Sequence, residues 1–155
     1  MRSSTLRTII AGCGLLLLLA GGLFTWRALH PPLTDTQQVQ ANLLGLAQAI
    51  EEMQPRNVVA YLAPEFAWRG LTRENISQNM GGFSLQWRDV DLNLAGVQVQ
   101  LAGERATSSG TFTLRYRRRG AYEIQTRVGR FKVFWEKRDG QWLAVAAEGG
   151  ESIEP

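Results

Sequence analysis

The sequence predicts an α+β domain, three helices packed on an antiparallel sheet, behind one N-terminal apolar helix. Three observations carry this. An uncharged run fills Thr8 to Trp26, apolar residues then recur at helical spacing as far as Met80, and after Gly82 the period drops to two. Helices followed by consecutive long strands are the pattern of an α+β domain with an antiparallel sheet.

The run TIIAGCGLLLLLAGGLFTW is nineteen residues long. As a helix it covers roughly 28 Å, enough for a hydrocarbon core. It outlasts the apolar region of a cleaved signal, and its exit, Trp26-Arg27-Ala28-Leu29, offers no small-x-small site. Ile10-Ala11-Gly12-Cys13 resembles a lipobox, but too little apolar chain precedes Cys13 for insertion. An uncleaved anchor is the expectation, with Trp26 at headgroup level. Arg2 and Arg7 precede the run and Arg27 alone follows it closely, so a cytoplasmic start and an extracytoplasmic body are expected. The chain divides into a tail (1–7), an anchor (8–26), a tether (27–35) and a domain (36–150). Pro31-Pro32 makes the tether a semi-rigid spacer that keeps the domain near the membrane.

The first domain helix is expected over Thr36 to Met53, with Val39, Leu43, Leu46, Ile50 and Met53 on one face. Thr34 and Gln37 form a capping box at its start. Pro55 opens a short second helix to Leu62, which Pro64 stops. Thr72 caps a third helix that runs through Met80 and ends at Gly81-Gly82. In the strand half, Val90, Leu92 and Leu94 alternate with polar residues, and Val97, Val99 and Leu101 then alternate with Gln98 and Gln100. Ala95-Gly96 between them is read as a bend or a bulge in one long strand. Gly103-Glu104 turns into a strand with Ala106, Ser108, Gly110, Phe112, Leu114 and Tyr116 on one face. A third strand covers about Tyr122 to Lys137, and Asp139-Gly140 makes a tight turn into the last, Gln141 to Glu148.

This order of elements resembles the nuclear-transport-factor-2-like superfamily. It combines a long amphipathic helix, a short helix ending in Ala63-Pro64-Glu65-Phe66, a helix after Gly70-Leu71-Thr72-Arg73, and a final hairpin with Asp139-Gly140 before Trp142. The resemblance spans Thr36 to Glu148. It implies a sheet curled around the long helix into a cystatin-like cone with a pocket. Members include isomerases, dehydratases and polyketide cyclases, but also non-catalytic binding and assembly modules, some hung from a single membrane helix facing the periplasm.

The residues available limit the chemistry. The one histidine, His30, lies in the tether, and the one cysteine, Cys13, in the apolar run. The domain therefore offers no imidazole for proton transfer near neutral pH and no thiolate or imidazole for zinc, and no cofactor is expected. Acid–base work would fall to Glu65, Asp89 or Asp91, with Tyr61 or Tyr116. Asn75-Ile76-Ser77 is a sequon inside a predicted helix. Arg2, Arg7 and Arg27 account for the net charge of +3, which leaves a neutral domain and argues against nucleic acid.

Two clusters are candidates for contact. Tyr61, Phe66, Trp68, Trp87 and Phe134 could line an apolar pocket in the cone, although a domain this size also needs such residues for its core. Trp68, in a loop, is the best placed of the five for an exposed contact, and Trp142 is expected in the core. Ten basic residues lie between Arg105 and Arg138, with Arg115 and Arg117 on one strand face and Arg127 expected across from them. This face suits an acidic partner protein or anionic lipid headgroups, or serves solubility alone. A homodimer through the sheet is also open. The leading expectation is a membrane-anchored, extracytoplasmic, non-catalytic binding or assembly module. The alternatives are an apolar-ligand site, or a histidine-independent isomerase or dehydratase site, in the cone.

Overall fold

The computed structural model describes residues 32–152. The expected tail and anchor, Cys13, His30 and most of the tether lie outside the described residues. Among those described, no helix is long and apolar enough to cross a membrane.

Helix α1 (Asp35–Glu51) begins at the expected box: Gln37 N donates to Thr34 Oγ1 at 3.3 Å, and Thr34 N donates to Gln37 Oε1 at 2.9 Å. Val39, Leu43, Ala47 and Ala49 are buried, while Leu46, Ile50 and Met53 pack half-buried against the core. Helix α2 (Pro55–Ala60) starts at Pro55, whose missing N–H costs nothing in the first turn. It stops at Ala60, earlier than expected, because Leu62–Trp68 forms strand β1.

That strand is absent from the sequence reading. It lies parallel to the last strand, pairing Leu62 with Ala144 and Ala67 with Ala146, with an irregular stretch between. Pro64 falls in that stretch, where a residue without an N–H forfeits no ladder bond. Proline therefore marks an irregular strand here and not the end of a helix. Arg69-Gly70, both at positive φ (49° and 78°), forms a two-residue hairpin turn into the short β2 (Leu71–Thr72).

Helix α3 (Arg73–Gln86) carries a second capping box, Thr72 with Asn75. The Asn75 amide also donates to Gly70 O, so the sequon asparagine is engaged in the cap. The helix runs through Gly81-Gly82 and past Met80, against expectation. Both glycines are exposed, and the last turn is held from outside: Arg119 N donates to Gln86 O at 2.7 Å and Arg119 Nη2 to Ser84 O at 3.3 Å. These bonds, with Phe83 against Trp87, offset the roughly 1 kcal/mol that each glycine costs a helix.

Strands β3 (Trp87–Ala102), β4 (Arg105–Arg118), β5 (Ile124–Arg138) and β6 (Gln141–Ser152) complete a six-stranded sheet of order β2-β1-β6-β5-β4-β3. β3 is one long strand, and its register against β4 shifts between Ala95 and Gln98, where Gly96 sits at φ 62°. The extra residue reverses the phase, so Leu92, Leu94, Val97 and Val99 all stay on the helix-facing side. A second shift, between Arg88 and Asp91, was not visible in the sequence; there Asp89 adopts φ 54°. Leu92 N at this edge strand donates to Glu51 Oε1 at 2.6 Å, so the end of α1 covers part of the open edge.

The core lies between α1 and the inner faces of β4, β5 and β6. Trp135 (1% exposed) donates from Nε1 to the buried Ser108 Oγ at 2.8 Å. Trp142 is equally buried, as expected; its indole donates to Asp35 Oδ1 and its carbonyl accepts from Asn42. The tight turn at Asp139-Gly140 has positive φ at both residues (50° and 78°).

Candidate functional site

The five aromatic residues expected to line one pocket are distributed over the domain. Tyr61 closes α2, with its ring against Gly45 of α1, beside an open recess of about 250 Å³ shared with Gln48, Glu52 and Asn57. Phe66 is buried in the core. Trp68 lies half-buried over Gly150 and donates from Nε1 to Gly149 O at 3.4 Å, which makes it a cover for β6. Trp87 stacks on the buried Tyr116 (centroids 4.5 Å apart) and meets Phe83 at 4.8 Å. Phe134 is on the opposite face of the sheet, paired with Thr107 and Ala146, with Lys132 Nζ 5.8 Å from its ring. The alternation of β5 decides this: Val133 and Trp135 point into the core, so Phe134 points out.

Of the carboxylates considered for acid–base work, Glu65 stands apart, while Asp89 and Asp91, opposite Arg115, share the outer sheet face. Glu65 pairs with Arg138, which also holds Glu136. Hydrogen bonding to the Arg138 guanidinium holds the Glu65 carboxyl below the usual range, and the two carboxylates raise the already basic guanidinium further. Asp35, at the start of α1, accepts from Lys137 Nζ at 2.6 Å and from Trp142 Nε1 at 3.1 Å; these bonds, Lys137 first, hold it below its ordinary value. Asp89 lies beside Arg88 and Arg117 on the outer sheet face. Among the described residues no group of acidic, histidine or cysteine side chains is arranged to hold a metal ion.

The basic cluster is divided by register. Arg115 pairs with Thr126 and Arg117 with Ile124, placing both on the outer face, away from the helices. Arg127 pairs with Leu114, a residue of the inner face, so it stands on the side of the sheet opposite Arg115 and Arg117, not across from them. The Arg119-Gly120 turn sets this, since its length fixes the phase of β5 against β4. The outer face gains Arg88, directly opposite Arg117. Nothing in the alternation of Trp87 to Leu92 marks Arg88 as facing Arg117, because the bulge at Asp89 intervenes. Further along this face, Gln98, Ser109, Thr111, Arg130, Lys132 and Glu148 border a shallow groove of about 630 Å³.

At the end of the sheet where β4 meets β5, several apolar side chains are open. Tyr122 is 97% exposed and Leu85, at the end of α3, 75% exposed; Ile124 and Val128 are also open.

The described domain is similar in structure to a nuclear transport factor 2-like superfamily protein from Salmonella enterica serovar Typhimurium (TM-score 0.66, 18% identity, 77% of this chain and 92% of that one). It is likewise similar to a ketosteroid isomerase-like protein from Erwinia carotovora atroseptica (TM-score 0.64, 12% identity, 78% and 98%). An uncharacterised protein with a cystatin-like fold from Caulobacter vibrioides aligns with TM-score 0.63 at 16% identity, over 77% and 90% of the two chains. No protein-family model matches the sequence, and no curated protein matches it. These likenesses show the fold: it is α+β and matches cystatin-like and nuclear-transport-factor-2-like structures, as the element order implied.

Proposed function

We propose that the chain is a non-enzymatic binding or assembly module that engages an acidic partner protein through the outer face of its sheet. The observation that supports this best is the use made of the aromatic residues. Phe66, Trp68 and Trp87 are each committed to packing, and Tyr61 and Phe134 stand apart from them. Arg88, Arg115 and Arg117, by contrast, gather on one outer surface of the sheet. Residues 8–26 are proposed to anchor the module in a membrane with the domain on the extracytoplasmic side, on the length of the apolar run and its basic start.

The test is purification of the full-length chain in mild detergent and identification of what co-elutes, for wild type and for Arg115→Glu with Arg117→Glu. An acidic protein that co-elutes with wild type and is lost from the double variant is the expected result. Identical co-elution from both would remove the basic face from the proposal.

A second reading is a small apolar ligand, bound or converted in the cone. It is favoured by the fold's likeness to an isomerase-like protein. Native mass spectrometry of the full-length chain decides it: a retained apolar small molecule supports this reading, and an empty domain counts against it.

A further inference from the structure

We infer that Arg88 and Arg117 form an oxyanion-binding site on the outer sheet face, one that takes a carboxylate or a phosphate group. The inference rests on the basic-face reading above and names the chemistry that the face would recognise.

Arg88 and Arg117 are direct cross-strand partners in the β3–β4 ladder. Two like charges opposite one another in an antiparallel pair repel, so a sheet carrying such a pair needs a counter-charge. Among the described residues only one serves the two. Asp89 Oδ2 lies 3.7 Å from Arg88 Nε and 3.5 Å from Arg117 Nε. Both distances exceed the ~2.7–2.9 Å of a charge-assisted hydrogen bond. Arg117 Nε is itself buried and has no hydrogen-bond partner, although the side chain as a whole is 29% exposed. A guanidinium presents planar pairs of donors that suit a two-oxygen acceptor. Here two such groups face each other, under-neutralised, with Asp89 touching both only at long range.

The backbone around the pair bears the same mark. Asp89 occupies φ 54°, a left-handed conformation uncommon for a residue with a side chain, in a bulge that spaces Arg88↔Arg117 from Asp91↔Arg115. From behind, the two strands are fixed. Trp87 and Tyr116, neighbours in sequence of Arg88 and Arg117, stack on the inner face at 4.5 Å, and Arg119 N ties the end of β4 to Gln86 O. The donors are therefore pre-positioned, and a ligand need not pay to order the strands that hold them. Across the face three arginines (Arg88, Arg115, Arg117) stand against two aspartates (Asp89, Asp91), an excess of one positive charge.

In this arrangement Asp89 is the internal occupant that an incoming oxyanion displaces or supplements. That gives the site a signature a purely structural ion pair lacks: removing the Asp89 charge strengthens anion binding.

Titration calorimetry on the full-length chain in mild detergent tests this, with inorganic pyrophosphate in one arm and a hexaglutamate peptide in the other. Binding in at least one arm is expected. It should weaken about tenfold in Arg88→Gln and in Arg117→Gln, persist in Arg56→Gln on α2, and tighten severalfold in Asp89→Asn, a change the left-handed backbone tolerates. Binding of pyrophosphate identifies the group as phosphate, and binding of hexaglutamate as carboxylate. Silence in both arms, an unchanged affinity in Arg88→Gln, or a weaker one in Asp89→Asn overturns the inference. If both arms are silent while an acidic partner is still captured through Arg115 and Arg117, the site fails and the basic-face function stands.

Discussion

The end of the sheet at the β5–β6 turn and the end at the β4–β5 turn are built from the same four strands and solve opposite problems. At the first, both tryptophans, Lys137 and Arg138 have partners, although Leu101 is open. Trp135 and Trp142 are buried with their indoles bonded to Ser108 and Asp35, Lys137 reaches Asp35, and Arg138 bridges Glu65 and Glu136. At the second, Tyr122, Ile124, Val128 and Leu85 are open, and like charges face each other across strands. What holds the second end is an aromatic stack and the two bonds from Arg119 to α3. The strands are continuous, so the difference comes from partners: Trp135 and Trp142 lie in the core packed against α1, whereas Ile124 and Val128 pair with Arg117 and Thr113 on the outer face. A domain with this division keeps its stability at one end and has surface to spare at the other.

The division can be broken or sharpened by substitution. Trp135→Ala is expected to cost ~3–5 kcal/mol in chemical denaturation, by the cavity it opens and the buried Ser108 hydroxyl it leaves unpaired. Gly149→Ala comes next. Gly149 sits at φ 88°, and a Cβ there would collide with Arg130 O, so a loss of more than about 1 kcal/mol is expected by the same measurement.

The pH dependence isolates the covered end. Asp35 and Glu65 are held below their ordinary values of 3.8 and 4.5, so each adds stability that is present above those values and disappears as pH falls through the lowered ones. Thermal midpoints recorded from pH 6 down to pH 2 should drop, and Asp35→Asn with Glu65→Gln should start lower and flatten that drop. Both groups are exposed at their edges, so this change is smaller than the first two. Tyr122→Ser, at the open end, should move stability by no more than about 0.5 kcal/mol. A large loss there would mean that the open end is not spare surface, and the comparison would fail.

How much of this could be read in the residues differs by element. The capping box at Thr34, the stripe on α1, the bulge at Ala95-Gly96, the turn at Asp139-Gly140 and the buried Trp142 all follow from local chemistry, and local chemistry is what a sequence displays. β1 did not show, because its ladder is parallel to a strand some eighty residues away and its proline mimics a stop. The extension of α3 past two glycines depends on Arg119, again a distant donor. The site suffered most. Assigning Arg127 to the face of Arg115 required the register across a loop, and an error of one residue moves a side chain to the other face. Arg88 was hidden by a bulge marked only by an aspartate in an unusual conformation.

The chain enters the domain at Thr34, beside Asp35 and its partner Lys137 near the end of β5, whereas Tyr122 lies just before β5 begins. Fifteen residues of strand separate these points, at most about 50 Å. β5 thus acts as a spacer bar: the start of the domain at Thr34 and the exposed ring of Tyr122 are kept a strand's length apart.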